Sequence, residues 1–86
     1  MKLVWQDDAR EDYLYWQTQD HKTLKRINAL LASIQRDGPE SGLGKPEPLR
    51  HRPGWSRRIN EKDRILYHLV ESGDIRITSL RGHYED

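Results

Sequence analysis

Apolar positions along the chain recur first at helical spacing and then in alternation, and the change of period divides the sequence. Leu3-Val4-Trp5 follows Lys2 and stops at Gln6-Asp7-Asp8, which reads as a short strand over 2–5. Ala9, Tyr13 and Trp16 then recur at spacings of four and three. That spacing puts them on one face of a helix over about 8–18, with Asp7 and Asp8 as cap and first-turn carboxylates. A second helix is predicted over about 21–36. There Leu24, Ile27, Leu31 and Ile34 form an apolar stripe with Leu30, Lys25, Arg26 and Arg36 fall off it, and Asp37-Gly38-Pro39 ends it.

Residues 38–48 hold three Gly and three Pro, which predicts a loop and excludes a helix or central strand. Beyond it Trp55–Ile59, Arg64–Val70 and Asp74–Leu80 read as strands, separated by turns at 60–63 and 71–73. Connections this short make the strands antiparallel neighbours. The order strand, helix, helix, strand, strand, strand predicts an α+β domain over 1–86, with both helices on one sheet face. Function is then sought on the other face. In the middle strand Arg64, Leu66, His68 and Val70 share one side, and Ile65, Tyr67 and Leu69 the other.

Composition narrows the expectation. Leu, Ile and Val together supply 18 of 86 residues and Phe is absent, so three Trp and four Tyr must complete a thin core, and a compact but marginally stable fold follows. The net charge of +1 hides a basic stretch. Over 45–64, Lys45, Arg50, Arg52, Arg57, Arg58, Lys62 and Arg64 face only Glu47, Glu61 and Asp63. Such a segment attracts phosphate, or is simply a solvated charged surface. Without cysteine there is no disulfide framework or thiolate site, and the four His residues lack zinc-like spacing, so neither metal nor cofactor is expected. Gly42 and Gly44 before Lys45 do not make a phosphate loop, and no serine has a nucleophile-elbow context. The apolar start is too short for a signal peptide and no run approaches membrane-spanning length, so a soluble, cytoplasmic protein without membrane contact is expected.

Several residues invite a chemical reading, each beside a plainer one. Glu47 stands between Pro46 and Pro48, which biases it to an extended, stiff backbone; the same tripeptide is equally a rigid turn. Arg64 opens a strand, where an arginine is more often a surface cation. His83 and Tyr84 follow the last strand, where a terminal histidine is usually just solvated.

The combination is more specific than its parts. MKLVW at the start, DYLYWQ at 12–17, GKPEPLRH at 44–51, WSRRI at 55–59 and the closing His83-Tyr84 together resemble the YoeB toxins of the RelE-like superfamily, over nearly the whole chain. The resemblance implies a microbial-ribonuclease-like sheet with two helices and a ribosome-dependent endoribonuclease. Its implied partners are messenger RNA, the ribosomal A site with its 16S and 23S RNA surroundings and a YefM-like antitoxin, with a homodimer left open. Carried over position by position, it implies catalytic roles for Glu47, Arg64, His83 and Tyr84, and a substrate-binding role for Arg58. Arg50 stands where the family commonly has lysine, Gly82 where it often has an aromatic residue, and Glu85-Asp86 extend past its usual end.

The chemistry fits these types. Cleaving RNA through its own 2′-hydroxyl needs a base there, an acid at the leaving 5′-oxygen and cations around phosphorus. On this reading Glu47 is the base, and His83 is the metal-independent acid, because an imidazole titrates near neutrality with a reference pKa of about 6.5. Arg64 and Arg58 hold phosphate, with Arg50, Lys45 and Arg57 assisting. Tyr84 either stacks on a base or orients the phosphate. Two other readings use the same cations: a non-catalytic RNA or ribosome binder, and a gyrase-inhibiting toxin of the same superfamily.

Overall fold

The computed structural model describes residues 2–82. Strand β1 (Leu3–Trp5) leads into helices α1 (Asp7–Gln19) and α2 (His21–Asp37), followed by β2 (Glu47–Pro48), β3 (Trp55–Arg58), β4 (Arg64–Leu69) and β5 (Ile75–Ser79). The strands make one sheet in the order β1-β5-β4-β3-β2. β1 runs parallel to β5, and every other neighbouring pair is antiparallel. The architecture is the α+β plan expected from the sequence, with one addition: β2 lies inside the segment read as loop. Its proline is tolerated because β2 is an edge strand, where a missing N–H removes no internal ladder bond.

α1 begins one residue earlier than the pattern predicts. Gln6, not Asp7, is its N-cap and makes no side-chain cap bond, so Asp7 and Asp8 both act in the first turn, against the positive end of the helix dipole. α2 is capped more strongly. Asp20 accepts from the backbone N–H of Lys22 and Thr23, each at 3.1 Å, and from Thr23 Oγ1 at 2.7 Å. The Thr23 hydroxyl bond is the foremost reason that the Asp20 carboxyl sits below its ordinary value. Asp20 also closes α1 by donating its N–H to Trp16 O at 3.1 Å, so one residue serves both helices and fixes their angle.

The stripes of both helices meet one face of the sheet. Ala9 and Trp16 of α1 and Ile27, Leu30, Leu31 and Ile34 of α2 pack against Ile65, Tyr67, Ile75 and Ile77, with Ile59 and Leu80 just past the strand ends. β4 leaves the core at its end: Leu69, in phase with Ile65 and Tyr67, is 54% exposed. β5 carries a bulge, since Tyr67 pairs with Ile77 but Leu66 with Ser79, leaving Thr78 as the extra residue. Thr78 Oγ1 donates to Leu66 O at 3.1 Å and so recovers a bond where the ladder is interrupted. No helix among the described residues is long and apolar enough to cross a membrane.

α1 also holds the end of the sheet. Trp16 Nε1 donates to Leu80 O at 2.9 Å, and Leu80 N donates to Asp12 Oδ2 at 3.0 Å, so both peptide groups of Leu80 are met from one helix face. Next to it the Arg81 guanidinium lies 3.6 Å from the centre of the Tyr15 ring. Trp16→Phe keeps an aromatic ring but leaves the Leu80 carbonyl without its donor. It is expected to cost about 1–3 kcal/mol, read as a lower urea midpoint at unchanged slope. An unchanged midpoint would mean that the carbonyl is solvated and the clamp is idle.

Candidate functional site

The register decides which candidate side chains meet. Glu47 pairs with Ser56, Ser56 with Leu66, and Leu66 with Ser79, so these four form a row across β2, β3, β4 and β5. Directly opposed residues point to the same face, and Ile65 and Tyr67 define the helix-covered side, so this row lies on the helix-free side. One step along the strands Arg58 pairs with Arg64, in phase with Ser56 and Leu66. Glu47, Arg58 and Arg64 therefore share one face. Glu47 and Arg58 are diagonal neighbours at about 7–8 Å, and Arg58 and Arg64 are direct ones at about 5 Å.

Arg64 is anchored through one end of its guanidinium. Its Nη1 donates to Asn60 O at 2.8 Å and Asp63 O at 3.2 Å, which ties it to the turn between β3 and β4. Among the described residues its Nε and Nη2 have no protein acceptor, so they can serve an anion. The turn is itself locked by Asn60, whose Oδ1 accepts from Lys62 N at 2.7 Å and Asp63 N at 2.8 Å. The Arg64 amide donates to Gly82 O at 3.1 Å, and Gly82 N donates to Asp63 Oδ1 at 2.8 Å. The chain thus passes Arg64 at Gly82. His83 and Tyr84, which come next in sequence, lie outside the described residues.

Lys45, Glu47 and Arg50 are all exposed. Lys45 adopts a left-handed φ of 53°, a conformation that costs an L-residue about 1–2 kcal/mol. It persists because its surroundings fix it: Arg58 N donates to Gly44 O at 2.8 Å on one side, and β2 begins two residues later. A Cβ on Gly44 would come within 2.5 Å of Leu30 Cδ2, so only glycine brings the loop this close to α2. Arg50 lies in the loop between β2 and β3, which Leu49 N closes on Gly54 O at 2.9 Å.

Arg57 corrects the charge-based reading. It is fully buried, in phase with Trp55 and Ile65 on the helix side, and it does not face solvent or phosphate. Its Nε donates to Tyr67 Oη at 2.8 Å, and Nη1 to Ser33 Oγ at 3.0 Å and Leu43 O at 2.8 Å. Its Nη2 donates to Gly38 O at 2.7 Å and Ser41 O at 2.6 Å. All the N–H donors of a guanidinium are thereby spent inside the protein. Tyr67 Oη in turn donates to Pro39 O at 2.7 Å, and burial pushes that phenol above its ordinary value, partly offset by Arg57. Asp37 supplies nearby negative charge. Its carboxyl is held below the usual range first by the Arg36 bond and next by that of Ser33. Arg57 is the hub that shapes the 38–46 loop and delivers Lys45 and Glu47 to the other face. The sequence carried a signal for this, since alternation places Arg57 with Trp55 and Ile59.

One feature of this face has no counterpart among the catalytic expectations. A concavity of about 510 Å³ opens over Leu66 and Ser79, the inner half of the row that begins at Glu47, and His68, Gln6, Leu49 and Pro53 border it.

Residues 5–84 match the family described as the YoeB-like toxin of bacterial type II toxin-antitoxin systems. Toxin YoeB of Escherichia coli K12 is 44% identical over 86 residues, covering 98% of this chain and all of that one. Among solved structures, the YoeB/ParE toxin from Agrobacterium tumefaciens superposes with a TM-score of 0.90 at 40% identity, over 98% of this chain and 100% of that one. A YoeB-YefM complex from Staphylococcus aureus contains a chain with a TM-score of 0.86 at 40% identity, over 98% of both chains. With the family match spanning residues 5–84 and relatives of 40–44% identity covering 98% of the sequence on the same fold, this chain belongs to the YoeB family of type II toxin-antitoxin toxins.

Proposed function

We propose that the chain is an endoribonuclease that cuts messenger RNA in the ribosomal A site, and that a YefM-like antitoxin restrains it. The observation that carries this reading is the joint placement of Glu47, Arg58 and Arg64 on one face, with the chain passing Arg64 immediately before His83. Glu47 removes the proton of the 2′-hydroxyl as its oxygen attacks the adjacent phosphorus. Arg58 and Arg64 hold the non-bridging oxygens, whose charge grows in the crowded transition state. The bond to the 5′-oxygen then breaks, His83 delivers a proton to that oxygen, and the products are a 2′,3′-cyclic phosphate and a 5′-hydroxyl end. Lys45 and Arg50, on the loops flanking Glu47, attract the message electrostatically, and Tyr84 contacts a base or the phosphate.

The ribosome's part in this scheme is enclosure. The face is open and its charged groups are solvated, so a ribosomal wall that excludes water strengthens each of these interactions. A cytoplasmic location follows from that partner. The test uses translating ribosomes carrying a message with a single 2′-deoxynucleotide at the scissile position. Cleavage should stop there and persist at unmodified codons, with cyclic phosphate at the new ends. Equal cutting of the deoxy message would exclude attack by the 2′-oxygen.

A further inference from the structure

We propose that the concavity over Leu66 and Ser79 is a subsite for an RNA base next to the scissile linkage, with His68 stacking on that base and Gln6 reading its edge. The inference deepens the ribonuclease reading and rests on it. Position is the first argument. Leu66 lies two strands from Glu47 in the same cross-sheet row, about 10 Å away, which is the scale of one nucleotide. A strand of RNA whose phosphate sits between Arg58 and Arg64 has its neighbouring base over this hollow.

Lining chemistry is the second. Leu66 is an apolar floor and Leu49 and Pro53 an apolar wall, which suits the flat face of a base. The wall is fixed, because Gly54 at φ 135° lets the loop lie so close to β4 that a Cβ there would come within 3.1 Å of Tyr67 O. The hydroxyls at this end are already committed: Ser79 Oγ donates to Arg81 O at 3.0 Å and Thr78 Oγ1 to Leu66 O at 3.1 Å. By contrast, among the described residues the His68 ring and the Gln6 carboxamide bond to no protein group. A half-exposed ring that can stack, beside an amide that both donates and accepts, is the equipment of single-stranded RNA readout. Charge continues the track, since exposed Arg76 pairs with His68 across β4 and β5 and offers a phosphate contact on the far side of the base.

The test has two arms. In the first, ribosomes carry messages that differ only in the base flanking the cut, and single-turnover rates are compared for wild type, His68→Ala, His68→Tyr and Gln6→Ala. His68→Ala should slow the preferred message about 10–100-fold and flatten the preference, while His68→Tyr restores the rate by stacking. Gln6→Ala should flatten the preference with a smaller loss of rate. In the second arm, a short RNA with a 2′-deoxy scissile nucleotide is titrated into the wild-type protein, and His68 ring protons are followed by NMR. Upfield shifts are expected. Wild-type cutting with unchanged rates and preference in all three variants, and no ring shift, would overturn the subsite while leaving the nuclease intact. If wild type cuts nothing, the nuclease reading falls and the ring signals decide the subsite alone. Ring signals that respond to a YefM-like antitoxin but not to RNA would overturn it in favour of a protein occupant.

Discussion

Arg57→Ala is expected to be severely destabilising, since its side chain is fully buried and faces no solvent. Removal strips the donors from three loop carbonyls, Gly38, Ser41 and Leu43, and from the hydroxyls of Ser33 and Tyr67. Each acceptor left unpaired away from water costs about 1–3 kcal/mol, and because three of the five lie where water can partly replace the donor, the loss in all is about 3–5 kcal/mol. A domain of this size has about 5–15 kcal/mol to lose, and each kcal/mol shifts its melting temperature by about 4–8 °C. The expected drop is therefore about 12–40 °C by circular dichroism. Arg57→Lys should recover little, because one ammonium carries three donors on a flexible stem and cannot span carbonyls arranged around a planar fork. A variant that melts like wild type but binds RNA poorly would restore the surface role that the charge count assigned to Arg57.

The different fates of these arginines show what a sequence pattern can and cannot decide. Leu24, Ile27, Leu31 and Ile34 recur so regularly that α2 and its buried face follow from spacing alone, and the turn-bounded alternation of the last three strands fixes their antiparallel order. A count of cations along 45–64 ignores that alternation, and so it placed Arg57 beside Arg58 when the pleat sends them to opposite sides of the sheet. β2 was hidden for a different reason. Two residues between prolines carry no period, and only the pairing with Trp55 and Ser56 makes them a strand. Glu47 could be named from its neighbours, but its proximity to Arg58 is a fact of register. The bulge at Thr78 is likewise a tertiary solution: it turns Ser79 onto the row of Leu66, and nothing local marks it. His68 was legible as a partner of Arg64 and Leu66 on one face, whereas the hollow around it arises from a loop folded over through Gly54.

Glu47→Gln should lower the single-turnover cleavage rate by about 10²–10⁴-fold, the usual worth of a positioned general base. The amide matches the carboxylate in shape, the residue is exposed on an edge strand, and no bond from its side chain supports the fold, so the melting temperature should hold. Arg64→Ala should cost about 10²–10³-fold through lost stabilisation of the phosphorane, with a small loss of stability because Nη1 also ties the turn at Asn60 and Asp63. Arg58→Ala removes a cation one strand nearer Glu47 and should weaken substrate binding more than it slows the step. The informative variant is the double one. If Glu47 and Arg64 act on a single transition state, losing both should cost far less than the product of the separate losses, because the second substitution acts on a step already crippled. Independent, multiplying losses would mean that the two groups serve different steps, one capturing the message and the other cutting it. A Glu47→Gln variant that cuts at the wild-type rate would move the base elsewhere and leave this face as a binding surface only.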